Sequence, residues 1–437
     1  MTTQDATSNS PGNTPEAVAL VAVSDSDTSA AEPEGAYVQA NTMGEYAKTW
    51  LAKIKGGDSG VIPLLVGILL FAIIFQALNG NFLSAGNIVN LLSQGSVYVM
   101  LSLGEIFALL LGEIDLSIGF VGGVGGIVTA QLASAQHGWP WWLAIIAGLA
   151  VTALIGVLQG TIITRIGLPS FVVTLAGFLG WQGVMLMILG NGGTLPISNN
   201  ILNDIANASL SNTAGWAIVI VLIVTFSGLT LGRQFRRSRA GLHTPPLALV
   251  IMKVAAAAIF GVALVIISNT DRGVLVPISG LPWVVLIVAA FVGASTFLLG
   301  RTKFGRYVYA IGGNPEAARR GGVNLGWVRT GAFALASFTA GVAGIIYASR
   351  LRSVSTNLDG GTLVLYAVAA SVIGGTSLFG GRGKPIHAIL GGLVIAGIDN
   401  GMGLLGISAA ARLVVTGLVL LAAVLIDALA RRGNTAH

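Results

Sequence analysis

Residues 300–329 read GRTKFGRYVYAIGGNPEAARRGGVNLGWVR, and they form the longest polar and basic interruption in an otherwise apolar region of the chain. Asn314 is suited to cap a helix, with a proline at the first helical position and Glu316 in the first turn. Arg319 and Arg320 suit the last turn, and the two glycines after them end the helix. The pattern predicts a helix of about two turns, which is too short to be stable alone in water and therefore needs a surface to dock against.

The composition decides the class of protein around this stretch. Hydrophobic residues make up 54% of the 437 residues and charged residues only 9%, whereas an ordinary globular protein has about 25% charged residues. So few charges cannot cover a water-exposed surface, which predicts an all-α, polytopic transmembrane helix bundle. The net charge of +6 fits Lys and Arg collected in cytoplasmic loops and does not indicate nucleic-acid binding.

The start of the chain differs in composition. Residues 1–47 are rich in Ser, Thr, Ala, Pro and acidic residues, and no Lys or Arg precedes Lys48. They lack the basic start and cleavage site of a signal peptide, and their low hydrophobicity and negative charge predict disorder. We therefore expect a disordered, acidic cytoplasmic tail at 1–47, either a solvated extension or a docking segment, followed by a transmembrane domain at 48–432.

Apolar segments of about twenty residues are long enough to cross a bilayer. Between the first two, residues 82–94 are mildly amphipathic and are predicted to lie along the outer interface. The pattern predicts about twelve spans with both termini in the cytoplasm, because most Lys and Arg residues then fall inside; the exceptions are Arg272, Arg350, Arg352 and Arg412. The predicted spans are 61–78, 96–111, 118–135, 143–164, 171–189, 214–231, 247–268, 283–299, 330–348, 362–378, 387–405 and 411–429.

Two glycine-rich stretches, at 119–126 and 374–383, interrupt apolar helices. Close helix–helix contact explains most of the 61 glycines. Broken helices in corresponding positions of two halves are typical of transporters that are built from internal repeats. We therefore expect broken or re-entrant helices at both stretches.

Few ionisable residues lie within or beside the predicted spans. Glu105, Glu113 and Asp115 are the clearest, and intramembrane acids are costly enough to mark functional sites. Alternatively, Glu113 and Asp115 cap a broken helix near the membrane surface, which leaves Glu105 as the better candidate to face an aqueous cavity. Asp399 is predicted to pair with Arg412.

The sequence lacks the residue patterns of an enzyme. The four His residues, at 137, 243, 387 and 437, have no metal-ligand spacing, the chain has no cysteine, and no GxxxxGK[ST] phosphate loop occurs. We therefore expect no catalytic residue, no metal and no cofactor. If transport is driven by ATP, a separate subunit must hydrolyse it.

Several stretches together resemble one known family. They are GEIDLSIGFVGG (112–123), GLPSFVVTLAGFLGWQG (167–183), AIGGNPEAARRGGVN (310–324) and VAASVIGGTSLFGGRGKPIHAILGGLVIAGIDNGM (368–402). In combination they resemble the permease subunit of bacterial ABC sugar importers of the ribose/xylose group. The chain is most similar to the xylose-type permeases, which are longer than the ribose-type ones, and the resemblance assigns the extra length to a hairpin near 233–281.

The resemblance implies a subunit of the bacterial inner membrane, embedded in lipid, that imports a xylose-like pentose. Its implied partners are a second copy of the chain, two cytoplasmic ATP-binding subunits and an extracytoplasmic sugar-binding protein. In the family, the loop that matches 312–323 couples the permease to the ATPase. The positions that carry this role here are Gly313, Asn314, Glu316, Ala317, Ala318 and Arg319.

Two alternatives to a sugar permease stay open. A branched-chain amino-acid ABC permease shares the overall pattern, and an ion-coupled secondary transporter would use the intramembrane acids as carriers. In either type of transporter, polar groups among the spans line the translocation pathway. The candidates are Glu105, Glu113, Asp115, Gln159, Gln182 and Asn191.

Overall fold

The computed structural model describes Gly44 and residues 62–190, 193–242, 244–273, 277–356 and 359–434. The predicted tail at 1–47 (apart from Gly44) and Asn191 lie outside the described residues. The described part of the chain is helical apart from two short strands. Its helices are α1 (Ile62–Leu78), α2 (Ala85–Leu109), α3 (Ile118–Leu132), α4 (Trp141–Thr161), α5 (Ser170–Leu189), α6 (Asn200–Asn207), α7 (Asn212–Arg239), α8 (Leu247–Asn269), α9 (Trp283–Arg301), α10 (Lys303–Gly313), α11 (Pro315–Arg320), α12 (Leu325–Leu351), α13 (Gly360–Ile373), α14 (Ile386–Leu404) and α15 (Ala409–Asn434).

Eight of the described helices are long and apolar enough to cross a membrane: α2, α4 with its π-helical extension at Ile162–Ile166, α5, α7, α8, α9, α12 and α14. Four shorter apolar helices lie in α1, α3, α13 and α15. These twelve helices follow the order of the twelve predicted segments. The chain is therefore a multi-span helical membrane protein, while the count of twelve crossings stays a prediction.

The interfacial segment predicted at 82–94 is wrong. Ser84 caps α2, its hydroxyl accepting a hydrogen bond from the backbone N–H of Asn87 at 3.3 Å, and the helix then continues without interruption to Leu109. Asn87 is buried, and its amide nitrogen donates to Oδ1 of Asn400 at 2.8 Å. Asn87 and Gln94 therefore face α14 within the protein, whereas the exposed Asn90 accepts a hydrogen bond from Arg350 of α12.

Helix α12 lies at the centre of the bundle and packs against α2, α3 and α4. Small residues make this possible, because apolar side chains gain nothing by leaving lipid and close backbone contact stabilises helix pairs instead. A Cβ atom on Gly344 of α12 would lie only 1.7 Å from the carbonyl oxygen of Gly122 in α3. The glycines thus set the distance between the central helices.

The break predicted at 374–383 is present between α13 and α14, whereas the break predicted at 119–126 is wrong, because α3 runs through that stretch without interruption. The interruption lies before it, at 110–117 between α2 and α3, and these two breaks meet in space. The N–H of Gly381 donates to the carbonyl oxygen of Leu110 at 2.9 Å. Gly112 and Gly381 have φ angles of 77° and 71°, which favour glycine. At another site, strands β1 (Thr194–Pro196) and β2 (Ser353–Ser355) pair antiparallel, so that two predicted outer loops are joined.

Candidate functional site

Helix α11 has the caps that its sequence predicts. The side chain of Asn314 accepts a hydrogen bond from the N–H of Ala317 at 3.0 Å, and the helix stops at Gly321. Glu316 forms ion pairs with Arg319 at 2.7 Å and with Arg320 at 3.4 Å. The short helix predicted from the sequence is confirmed, whereas its coupling role stays a prediction.

Only one side chain of α11 is buried against the rest of the protein. Ala318 is 7% exposed, whereas Glu316, Ala317 and Arg319 are exposed, as are the preceding residues Gly313 and Asn314. The helix therefore offers a small, charged, water-facing surface. Because its packing contact is so limited, its order depends on its caps and ion pairs.

The helix before α11 fixes its position at the junction of the two breaks. A Cβ atom on Gly312 would lie 1.8 Å from the carbonyl oxygen of Leu110 and 2.5 Å from the amide nitrogen of Gly381. The hydroxyl of Tyr309 donates to the carbonyl oxygen of Gly383 at 2.7 Å, and burial raises the pKa of Tyr309, so this donor keeps its proton. The segment that precedes α11 therefore contacts both broken segments.

Glu113 belongs to this junction. Its carboxylate lies 3.4 Å from the guanidinium of Arg329 in α12, and the two side chains are 13% and 27% exposed. Glu113 thus links the first break to the helix that follows α11, and the structure places it apart from the polar groups described next.

Three of the candidate pathway residues come together in the membrane part. Glu105 and Asp115 are fully buried, and Oε1 of Glu105 accepts from the N–H of Asp115 at 3.3 Å. Oδ1 of Asp115 accepts from the hydroxyl of Ser117 at 2.6 Å and from its N–H at 2.9 Å. Gln159 extends the chain of contacts, its Nε2 lying 2.9 Å from the Ser117 hydroxyl. This cluster, Glu105–Asp115–Ser117–Gln159, joins α2, the first break and α4.

Both functional and structural roles fit parts of this cluster. Asp115 accepts the Ser117 N–H and so stabilises the turn before α3. The N-cap of α3 is Ser117 and Glu113 pairs with Arg329, so the capping role expected for Glu113 and Asp115 is wrong. Yet Oε2 of Glu105 and Oδ2 of Asp115 have no hydrogen-bond partner among the described residues, and buried polar atoms without partners are rare. Gln182 lies half-buried on α5, beside Trp181.

Trp181 is a residue that the sequence analysis did not single out. Its indole Nε1 is buried and has no hydrogen-bond partner among the described residues. The signal was present in the stretch GFLGWQG, where a tryptophan lies in the middle of a predicted span instead of at the interface that tryptophan favours.

Two features involve the arginines that the topology prediction places outside the cytoplasm. The predicted pair between Asp399 and Arg412 is confirmed at 3.4 Å, and Asp399 also accepts from Gln94 at 2.6 Å. A cavity of about 370 Å³ is lined by Arg272 and Arg350, two of the four arginines that are predicted to lie outside the cytoplasm. Within the part of the chain that the structure describes, no three His, Asp or Glu side chains are grouped to hold a metal ion.

Comparison with known proteins agrees with this architecture. The family model described as branched-chain amino acid transport system / permease component matches residues 87–424. The xylose transport system permease protein XylH of Escherichia coli (strain K12) is 35% identical over 387 residues, 86% of this chain and 96% of that protein. The XylH of Haemophilus influenzae is 36% identical, covering 86% and 98%, and the ribose import permease protein RbsC of Escherichia coli (strain K12) is 29% identical, covering 87% and 95%.

No solved structure matches the chain. The family model covers most of its length, and its curated relatives are covered almost completely. The chain therefore belongs to this family of ABC-transporter permeases, as a non-catalytic, multi-pass subunit of the bacterial inner membrane in the group that includes the xylose and ribose permeases.

Proposed function

We propose that this chain forms the translocation pathway for a xylose-like pentose, which an extracytoplasmic binding protein delivers. The observation that carries the proposal is a difference in sequence identity between the relatives, which are covered to a similar extent. Identity is 35% and 36% with the two xylose permeases and 29% with the ribose permease. The description of the family model keeps branched-chain amino acids as the alternative cargo.

The proposed partner of α11 is a cytoplasmic ATP-binding subunit. The exposed surface of the helix supports this assignment, because small Ala317 allows close approach while Arg319 and Arg320 can pair with acidic groups. We place the segment 300–329 in the cytoplasm, because the other basic clusters then fall on the same side. Both termini lie on that side, with twelve crossings in total.

Movement would pass from α11 to the membrane through its neighbours. Closure of the ATP-binding subunits would displace α11, and the close contact of Gly312 with Leu110 and Gly381 would transmit the displacement to both breaks. The first break carries Asp115, which belongs to the buried polar cluster. The first break would therefore take part both in coupling to the ATP-binding subunit and in forming the translocation pathway.

A second copy of the chain is the proposed partner within the membrane. Helix α5 supports this, because its outer face is apolar and exposed at Phe171, Leu175, Leu179 and Met187. On the extracytoplasmic side of the membrane, the cavity lined by Arg272 and Arg350 would offer positive charge to an acidic surface of the binding protein.

Uptake assays in a bacterial strain from which this chain has been deleted test which cargo it carries. The strain would be complemented with the wild-type chain, and uptake of labelled xylose, ribose and leucine would be compared. We expect xylose uptake to be restored most strongly. Restoration of leucine uptake without xylose uptake would contradict the proposal and favour the amino-acid permease.

A further inference from the structure

A cleft between α4 and α5 opens next to the buried polar cluster. Its volume is about 350 Å³, which is within the usual range of small-molecule sites, about 300–1,000 Å³. Its walls are mostly apolar, with Val172, Val173 and Ala176 on one side. The polar side chains that line it are Gln159 and Trp181. We call it the Gln159–Trp181 cleft.

The orientation of the Gln159 amide follows from its neighbours. The hydroxyl of Ser117 has one hydrogen, and the 2.6 Å distance to the carboxylate of Asp115 shows where it is donated. The Ser117 oxygen is then an acceptor for Nε2 of Gln159 at 2.9 Å. One N–H of the amide is thereby used, and the second N–H stays available to the cleft.

Trp181 supplies a second donor close to the first. An indole N–H can only donate, and the Trp181 Nε1 has no acceptor among the described residues. A Cβ atom placed on Gly177 would lie 2.3 Å from Nε2 of Gln159 and 3.2 Å from Nε1 of Trp181. Both nitrogens therefore lie close to Gly177, where any side chain would displace the Gln159 amide.

We propose that the Gln159–Trp181 cleft is a transit site for a single monosaccharide during import, an inference that rests on the proposed function. The neighbouring N–H groups of Gln159 and Trp181 would bind hydroxyl or ring oxygens, and the apolar wall would contact the C–H face of the sugar. A zwitterionic amino acid fits less well, because the lining carries neither a cation for its carboxylate nor an anion for its ammonium group. With so few polar contacts the sugar is held weakly, as transport requires.

Trp181→Phe tests the site, because it keeps an aromatic ring and removes the N–H. The complete transporter, with its ATP-binding subunits and binding protein, would be assayed in proteoliposomes for xylose uptake and for ATP hydrolysis. We expect uptake per assembled transporter to fall about two- to tenfold, the usual effect of one lost hydrogen bond, with stimulated ATP hydrolysis unchanged. Gly177→Ala, which displaces the Gln159 amide, should give a similar separation of uptake from hydrolysis.

The matched control is Trp142→Phe, the same exchange at an exposed position of α4, which should leave uptake unchanged. Normal uptake in both cleft variants would overturn the transit site and leave the proposed function intact. An equal loss in the Trp142 control would also overturn it, since the effect would not be specific to the cleft. Absence of any ATP-driven sugar uptake by the wild type would overturn both proposals.

Discussion

Asn314→Ala is expected to disorder α11 while leaving the membrane part folded. The substitution removes the side-chain oxygen that accepts the Ala317 N–H at 3.0 Å. Loss of such a cap destabilises a helix by about 1 kcal/mol. Helix α11 has six residues and one buried side chain, Ala318, so little packing offsets that loss. One kcal/mol changes the ratio of ordered to disordered helix by about fivefold.

The assay combines a functional and a structural measurement. Affinity for the ATP-binding subunit and ATP-driven uptake should each fall several-fold in Asn314→Ala, and amide exchange at 315–320 should accelerate. Asn324→Ala is the matched control. Asn324 caps α12 through the same kind of hydrogen bond, accepting from the N–H of Trp327 at 3.0 Å, but α12 has 27 residues and a long buried face that holds it in place.

Two outcomes would contradict the proposed role of an ordered α11 in coupling. If exchange at 315–320 accelerated while affinity and uptake stayed at wild-type values, an ordered α11 would not be needed for coupling. If Asn324→Ala reduced affinity and uptake as much as Asn314→Ala, the effect would come from a general disturbance of the region and not from α11.

Two further predictions address coupling charge and helix contact. The charge exchange Glu316→Lys with Arg319→Glu should reduce affinity for the ATP-binding subunit more than tenfold. Within the chain it keeps an opposite-charge pair between positions 316 and 319 and loses only the exposed pair with Arg320, worth about 1 kcal/mol or less. Wild-type affinity in a binding assay would contradict the docking role. Gly344→Ala should lower the melting temperature of the purified protein, because its Cβ would lie 1.7 Å from a backbone oxygen and overpacking typically costs about 1–3 kcal/mol. Gly417→Ala, at a position with open space, is its control, and an equal shift in both variants would count against the close helix contact.

Local patterns predicted local structure well. The caps of α11 were readable because Asn314, Glu316 and Gly321 act within a few residues of one another. Apolar run length likewise predicted the order of the helices, since crossing a bilayer depends on length and composition.

Features that depend on distant contacts were not predictable. The partner of Asn87 is Asn400, more than three hundred residues away, so its polarity was misread as interfacial. Gln159 and Ser117 are 42 residues apart, and no spacing rule brings them together. That the Trp181 N–H has no partner among the described residues depends on the atoms around it, which the contact between α4 and α5 decides.

The central claim is that this chain transports a sugar with energy from a separate ATPase. Xylose uptake into proteoliposomes would be measured with the chain alone under a proton or sodium gradient, and with its ATP-binding subunits, binding protein and ATP. We expect uptake only in the second case, and only while ATP is hydrolysed. Gradient-driven accumulation by the chain alone would contradict it and establish a secondary transporter.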